Sequence, residues 1–173
     1  MTLIRERDLE FSFDRPWTVV KWDECEFRKR REHHGAAVDV AAFHASGQLW
    51  LFEIKDYPAH PQVVAPVPSD LAEKCSRKVR DSLAQMLWSA TDVGRPRDAA
   101  VEQLIRAFGS TDHPLMFALW IEDAMVPPLD LLVLQADLHA AFKWLPARVT
   151  TLSLGDAGIP GGLAVRRVPP ASV

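Results

Sequence analysis

Cysteine, net positive charge and long apolar runs are all scarce in this chain, and each scarcity narrows its class. Only two of 173 residues are cysteine, Cys25 and Cys75. They lie far apart and match no metal-ligand spacing, which predicts reduced, buried thiols and a cytoplasmic protein. No apolar stretch reaches the ~20 residues that a membrane-crossing helix needs, and none is expected. The opening MTLIRERDLEF lacks the apolar core of a signal peptide, so secretion is not expected either. Lys and Arg total 20 against 23 Asp and Glu, a net charge of -3. Free-standing nucleic-acid binders usually carry a basic surface, so a polyanion would have to be met by local patches. Two exist. Residues 28–31 read Arg-Lys-Arg-Arg, and Lys74, Arg77, Lys78 and Arg80 crowd one expected helix. Taken alone, either could be an ordinary solvated face.

Other chemistries lack their signatures. Of the six histidines, His33 and His34 are adjacent and diverge, and no His or Cys lies at zinc-site spacing. No nucleophile elbow supports serine catalysis, and the glycine-rich stretch 155–162 has no strand-to-helix context for a phosphate loop. The tryptophans sit mostly in expected strands and helices, where core packing is the default.

Present in ordinary proportion are apolar residues, 48%, and charged residues, 25%. The length suits one domain spanning 1–173, with a core at about 17–121 and a C-terminal helix and strands at 129–168. Short strands are expected at 9–13 and 17–22, the second from its β-branched and aromatic run WTVVKW. The segments 36–44 and 48–56 read as a hairpin around Ala45-Ser46-Gly47, a three-residue loop with glycine at its left-handed position. Apolar residues fall on both faces: Val38, Val40, Trp50, Phe52 and Ile54 on one, and Ala41, Phe43, Leu49 and Leu51 on the other. Both faces must then be covered, which predicts α/β packing with helices on each side. Four prolines make 57–68 a loop. Ser69 is the expected N-cap of a helix reaching about residue 90, with Leu71, Cys75, Val79, Leu83 and Met86 or Leu87 as its apolar stripe. A helix at 97–108, a buried strand at 115–121, a helix at 129–145 and closing strands at 148–154 and 163–168 follow. The helical link predicts that strands 48–56 and 115–121 are parallel.

The hairpin carries the chemistry. A three-residue loop pairs His44 with Gln48, and counting back sets Asp39 opposite Glu53 on one face. Lys55, two residues on, shares that face. A two-residue loop would turn Asp39 to the wrong face. Neighbouring carboxylates repel and resist burial, and a hard divalent cation relieves both costs. The Ile54 carbonyl can add an oxygen. Such an ion can polarise a phosphate and acidify a water, and Lys55 can orient or deprotonate that water or stabilise developing charge. Without an ion, the same residues would form a partly exposed salt bridge.

Val38-Asp39 on one strand and Glu53-Ile54-Lys55 on the next, followed by a helix with polar residues, resemble the PD-(D/E)XK nuclease superfamily over roughly 17–121. The resemblance implies a restriction-endonuclease-like α/β fold, a mixed sheet flanked by helices on both faces. It implies a Mg²⁺ or Mn²⁺ cofactor on Asp39, Glu53 and Ile54, and hydrolysis of nucleic-acid phosphodiesters by Asp39, Glu53 and Lys55, in a defence or DNA-repair setting. The family often has a further acid on an N-terminal helix; this chain has no clear helix there, and Asp23 or Glu24 could stand in. Lys74 and Lys78 match the basic residues often found on the following helix and are candidate phosphate contacts. DNA is the expected partner, with a homodimer or a larger complex supplying affinity. The alternatives are a catalytically silent nuclease-like fold serving as an interaction module, and a hydrolase acting on nucleotides.

Overall fold

The computed structural model describes residues 1–25, 35–57, 66–91, 98–109, 115–122, 130–154 and 161–168. The basic run 28–31, His33 and His34, most of the proline-rich connection and most of the glycine-rich turn lie outside these residues.

Among the described residues, eight strands and three helices follow one another as β1 (Thr2–Glu6), β2 (Leu9–Phe13), β3 (Trp17–Lys21), β4 (Val40–His44), β5 (Leu49–Asp56), α1 (Pro68–Thr91), α2 (Ala99–Gly109), β6 (Leu115–Glu122), α3 (Leu131–Ala141), β7 (Ala147–Leu152) and β8 (Leu163–Arg167). The larger sheet has the order β3-β4-β5-β6-β7. Its first two pairings are antiparallel; β5-β6 and β6-β7 are parallel, as the helical crossover predicts. The smaller antiparallel sheet has the order β1-β2-β8. β7 and β8 therefore close different sheets. β1 has no counterpart in the sequence reading; it pairs with β2 across a tight turn in which Arg7 has φ 52°.

Alternation along β5 assigns its faces. Leu49 and Leu51 join Val79, Met86, Leu104 and Leu138 of the helices in one apolar cluster. Trp50, Phe52 and Ile54 join Phe11, Phe13 and Trp120 in the other. All three helices contribute to the first cluster and none to the second. The expectation of helices on both faces is thus corrected: the second face is covered by the smaller sheet. An apolar face demands a cover but does not specify a helix, and the alternating LEFSF of β2 meets that demand equally well. Aromatic rings fill the seam between the sheets, with Trp50 stacked on Phe52 at 5.6 Å and Phe11 edge-on to Trp120 at 5.1 Å.

Local corrections have local causes. α1 begins at Pro68 rather than after Ser69, and the Val67 carbonyl accepts the Leu71 amide at 3.1 Å. Proline suits the first helical position because it lacks only an amide that would go unused there. Val38 shares the helix-side cluster instead of lying with Val40, because the ladder begins at Val40 and strand alternation does not govern the residues before it. α3 is shorter than expected and is capped by Asp130, whose carboxylate accepts the Leu132 and Val133 amides. Cys75 is buried and Cys25 only partly so; both are free thiols. Trp88 and Trp144 are exposed rather than core. No helix among the described residues is long and apolar enough to cross a membrane.

Candidate active site

The hairpin loop has the expected length. The His44 amide donates to the Gln48 carbonyl at 2.9 Å, and Gly47 closes the turn onto the His44 carbonyl with φ 93°. The register runs from Phe43↔Leu49 to Val40↔Phe52, and the same count sets Asp39 opposite Glu53. Asp39 ends the ladder in two ways. Its amide donates to the Phe52 carbonyl at 3.1 Å, and its Oδ2 accepts the Ile54 amide at 2.6 Å. The carboxylate thus takes the place a strand partner would have had, and its other oxygen remains free to face the helices.

Glu53, Lys55 and Lys78 meet Asp39 on that face. Lys55 Nζ donates to Glu53 Oε1 at 2.5 Å. Lys78 Nζ, from α1, lies 2.7 and 2.9 Å from the two Glu53 oxygens and 3.4 Å from Asp39 Oδ1. The Glu53 side chain is 1% exposed, while those of Lys55 and Lys78 are 29% and 27% exposed. Two acids and two ammonium groups therefore share one spot at the end of β5.

Burial, reinforced by the Asp39 charge, pushes the Glu53 carboxyl above the usual carboxylate range despite both lysines. Burial alone would lower Lys55, but the Glu53 charge and hydrogen bond more than offset it, so the ammonium stays protonated across the neutral range. That favours orientation and charge stabilisation for Lys55 over proton abstraction. Cys75, from the neighbouring turn of α1, is pushed up to about 12 chiefly by burial and remains a neutral thiol.

A polar stripe on α1 holds the segment that delivers Asp39. The Ala36 amide donates to Asp81 Oδ2 and the Val38 amide to Ser82 Oγ, both at 3.0 Å. Gln85 Oε1 accepts Trp22 Nε1 at 3.1 Å, and the Trp22 amide donates to the Asp39 carbonyl at 2.8 Å. Gly35 permits the close approach, since a β-carbon there would come within 3.1 Å of Asp81 Cβ. Of the expected apolar stripe, Leu83 packs against the core and Met86, not the alternative Leu87, is buried; Leu87 is 60% exposed, and the polar Ser82, Gln85 and Ser89 are buried as well. Lys78, Asp81, Ser82 and Gln85 recur at i, i+3, i+4 and i+7, a polar helical face that could have been read as such.

Of the tentative acids, Asp23 lies within electrostatic reach of Asp39, whereas Glu24 is exposed and paired with Lys21 at 2.7 Å. Asp23 is pushed up to about 6, first by burial and then by Asp39 and Glu6. An acid with a raised folded pKa weakens the fold above that pKa and stops doing so once protonated. Asp23→Asn is therefore expected to stabilise the protein by about 0.5 kcal/mol at pH 7.5, a small gain because the group is half exposed. The gain should shrink as the pH falls from 6 towards 4. Urea denaturation of both proteins across that range measures it, and a pH-independent difference would contradict it.

Lys74 is exposed and has no contact with the acids; of the two candidate phosphate contacts only Lys78 enters the centre. The oxygens able to hold a cation are those of Asp39 and Glu53 and the Ile54 carbonyl. No group of three or more His, Cys, Asp or Glu residues arranged to hold a metal occurs among the described residues. Mg²⁺ commonly keeps several waters and takes only one or two carboxylates, so a two-acid set fits its chemistry.

No family model and no solved structure matches the chain. Among curated proteins, the cysteine–tRNA ligase of Neisseria meningitidis serogroup A / serotype 4A (strain DSM 15465 / Z2491) is 31% identical across an alignment covering 50% of this chain and 17% of the ligase.

Proposed function

We propose that this chain is a PD-(D/E)XK-type, divalent-metal-dependent nuclease that hydrolyses nucleic-acid phosphodiester bonds. What supports it is the convergence of Asp39, Glu53, Lys55 and Lys78, the chemistry such a reaction requires, at one end of a strand otherwise fit for burial. Asp39, Glu53 and the Ile54 carbonyl would hold Mg²⁺ or Mn²⁺. That ion, when bound, polarises the phosphate and lowers the pKa of a water. Lys55, protonated and anchored on Glu53, orients the attacking water and opposes the charge that develops on the phosphate. Lys78 turns from the acids towards a phosphate oxygen. The polar stripe of α1 fixes Asp39 so that the acids are placed before substrate arrives.

DNA is the first substrate class. The partial likeness to a tRNA ligase makes RNA a necessary second arm. With a net charge of -3, a homodimer or a partner complex would supply much of the affinity.

One observation favours a silent nuclease-like module instead: two ammonium groups already balance two carboxylates, so the centre is neutral without a metal. The deciding experiment incubates the wild type with supercoiled plasmid, single-stranded DNA and RNA, in Mg²⁺, Mn²⁺ or EDTA. The nuclease predicts cleavage of at least one substrate, abolished by EDTA and by Asp39→Asn. Absence of cleavage in every arm, or cleavage indifferent to EDTA, would overturn it.

A further inference from the structure

On the outer face of α1 lies a groove of about 490 Å³ lined by Lys74, Ser76, Arg77 and Arg80 of α1 and Ala141 at the end of α3. All three basic side chains are exposed, and among the described residues Lys74 and Arg77 have no ion pair. Arg80 pairs with its neighbour Asp81 at 3.5 Å. Asp70 and Glu73 also line the groove, so its charge runs from acidic in the first turn of α1 to basic over the next two.

An aromatic ring stands beside it. Trp144 follows α3 and is 48% exposed. Its Nε1 donates to Ser76 Oγ at 2.8 Å, and Ser76 Oγ donates in turn to the Ala141 carbonyl at 2.9 Å. The indole is therefore held by its polar edge, which leaves the ring as an apolar surface at the groove. The hydrogen bond satisfies the indole nitrogen but does not require the ring to face water. A basic groove beside a fixed, exposed aromatic is the arrangement that binds single strands, with phosphates on cations and a base stacked on the ring. Duplex DNA offers no unstacked base for such a ring.

We infer that the α1–α3 groove binds a single-stranded nucleic acid, with Arg77, Lys74 and Arg80 on its phosphates and Trp144 stacking a base. The binding does not depend on the proposed function.

Fluorescence anisotropy in EDTA, where cleavage plays no part, tests it with labelled oligothymidylate of about twenty nucleotides and a duplex of equal length. The wild type should bind the single strand more tightly than the duplex. Trp144→Ala should weaken single-strand binding about tenfold, while Trp144→Phe, which keeps a stacking face but loses the bond to Ser76, should stay within a factor of about three of wild type. The double variant Lys74→Gln, Arg77→Gln should lower the salt dependence, log K against log salt, by about 1.4 for the two lost contacts. Circular dichroism establishes that each variant is folded. Equal weakening by Phe and Ala, an unchanged salt slope, tighter duplex binding, or no binding by wild type would each overturn the groove. Binding with this pattern but no cleavage under any metal would uphold the groove and sink the nuclease; cleavage with an inert groove would do the reverse.

Discussion

Alanine at position 55 is expected to lower metal-dependent cleavage by about 10²–10⁴-fold, with the fold retained. Lys55 leans on Glu53, which keeps its second ammonium partner, Lys78, at 2.7 and 2.9 Å, so the buried carboxylate is not left bare. The loss should therefore appear in turnover more than in stability. Because the Glu53 charge raises Lys55 above the usual lysine value, its ammonium persists below that value and is lost only as the pH rises through the folded pKa. Lys55→Arg keeps the charge but replaces a compact ammonium with a planar fork, and should restore part of the rate. Single-turnover cleavage at saturating Mn²⁺ measures both variants. Activity within a factor of about three of wild type in Lys55→Ala would remove this residue from the reaction.

Methionine at position 78 should have the largest effect on stability, a loss of about 3 kcal/mol at neutral pH. Lys78 is the cation that Glu53 and Asp39 share, and its stem is mostly buried. Methionine fills the same volume but takes the shared cation from both Asp39 and Glu53; Lys55 bonds Oε1 of the 1%-exposed Glu53, whereas Lys78 held both Glu53 oxygens and Asp39 Oδ1. Removing one partner of a buried ionic group is costly in this way, and a chain of this size should lose about 6–12 °C in Tm. The sign of the pH dependence follows from Glu53, whose folded pKa is raised above its ordinary 4.5. The penalty is full above that raised value and fades as the carboxyl protonates on acidification, so the variant should approach wild type near pH 4.

The same variant tests the metal. With Lys78 gone, a divalent cation becomes the natural counter-charge for the two acids. Saturating Mn²⁺ should return up to about 2.7 kcal/mol at a hundredfold excess over Kd, more than it adds to wild type, where the ammonium must first be displaced. Thermal unfolding with and without Mn²⁺ reads this directly. Equal stabilisation of both proteins would mean that the carboxylates do not hold the ion, whatever the cleavage assays show.

The hairpin and its consequences were legible in the sequence because they depend on near neighbours. A glycine at the left-handed position of a short loop sets the register, and strand alternation then brings Asp39, Glu53 and Lys55 to one face. The parallel pairing of β5 with β6 followed from the helical connection between them. Three features depended on contacts between distant segments. Lys78 was separable from Lys74 only once α1 had docked, since one helical turn decides which ammonium reaches Glu53. The cover of the second face went to a sheet because the N-terminal hairpin pairs with β8, some 150 residues further along. The inward turn of Ser82 and Gln85 answers the unpaired amide of Val38 and the indole of Trp22, groups with no visible need for a partner until the chain is folded. Local geometry determined which acids could meet, because strand pairing is periodic and short in range. Tertiary packing decided which cation balances them and what shields them from water, because those depend on where a helix comes to rest.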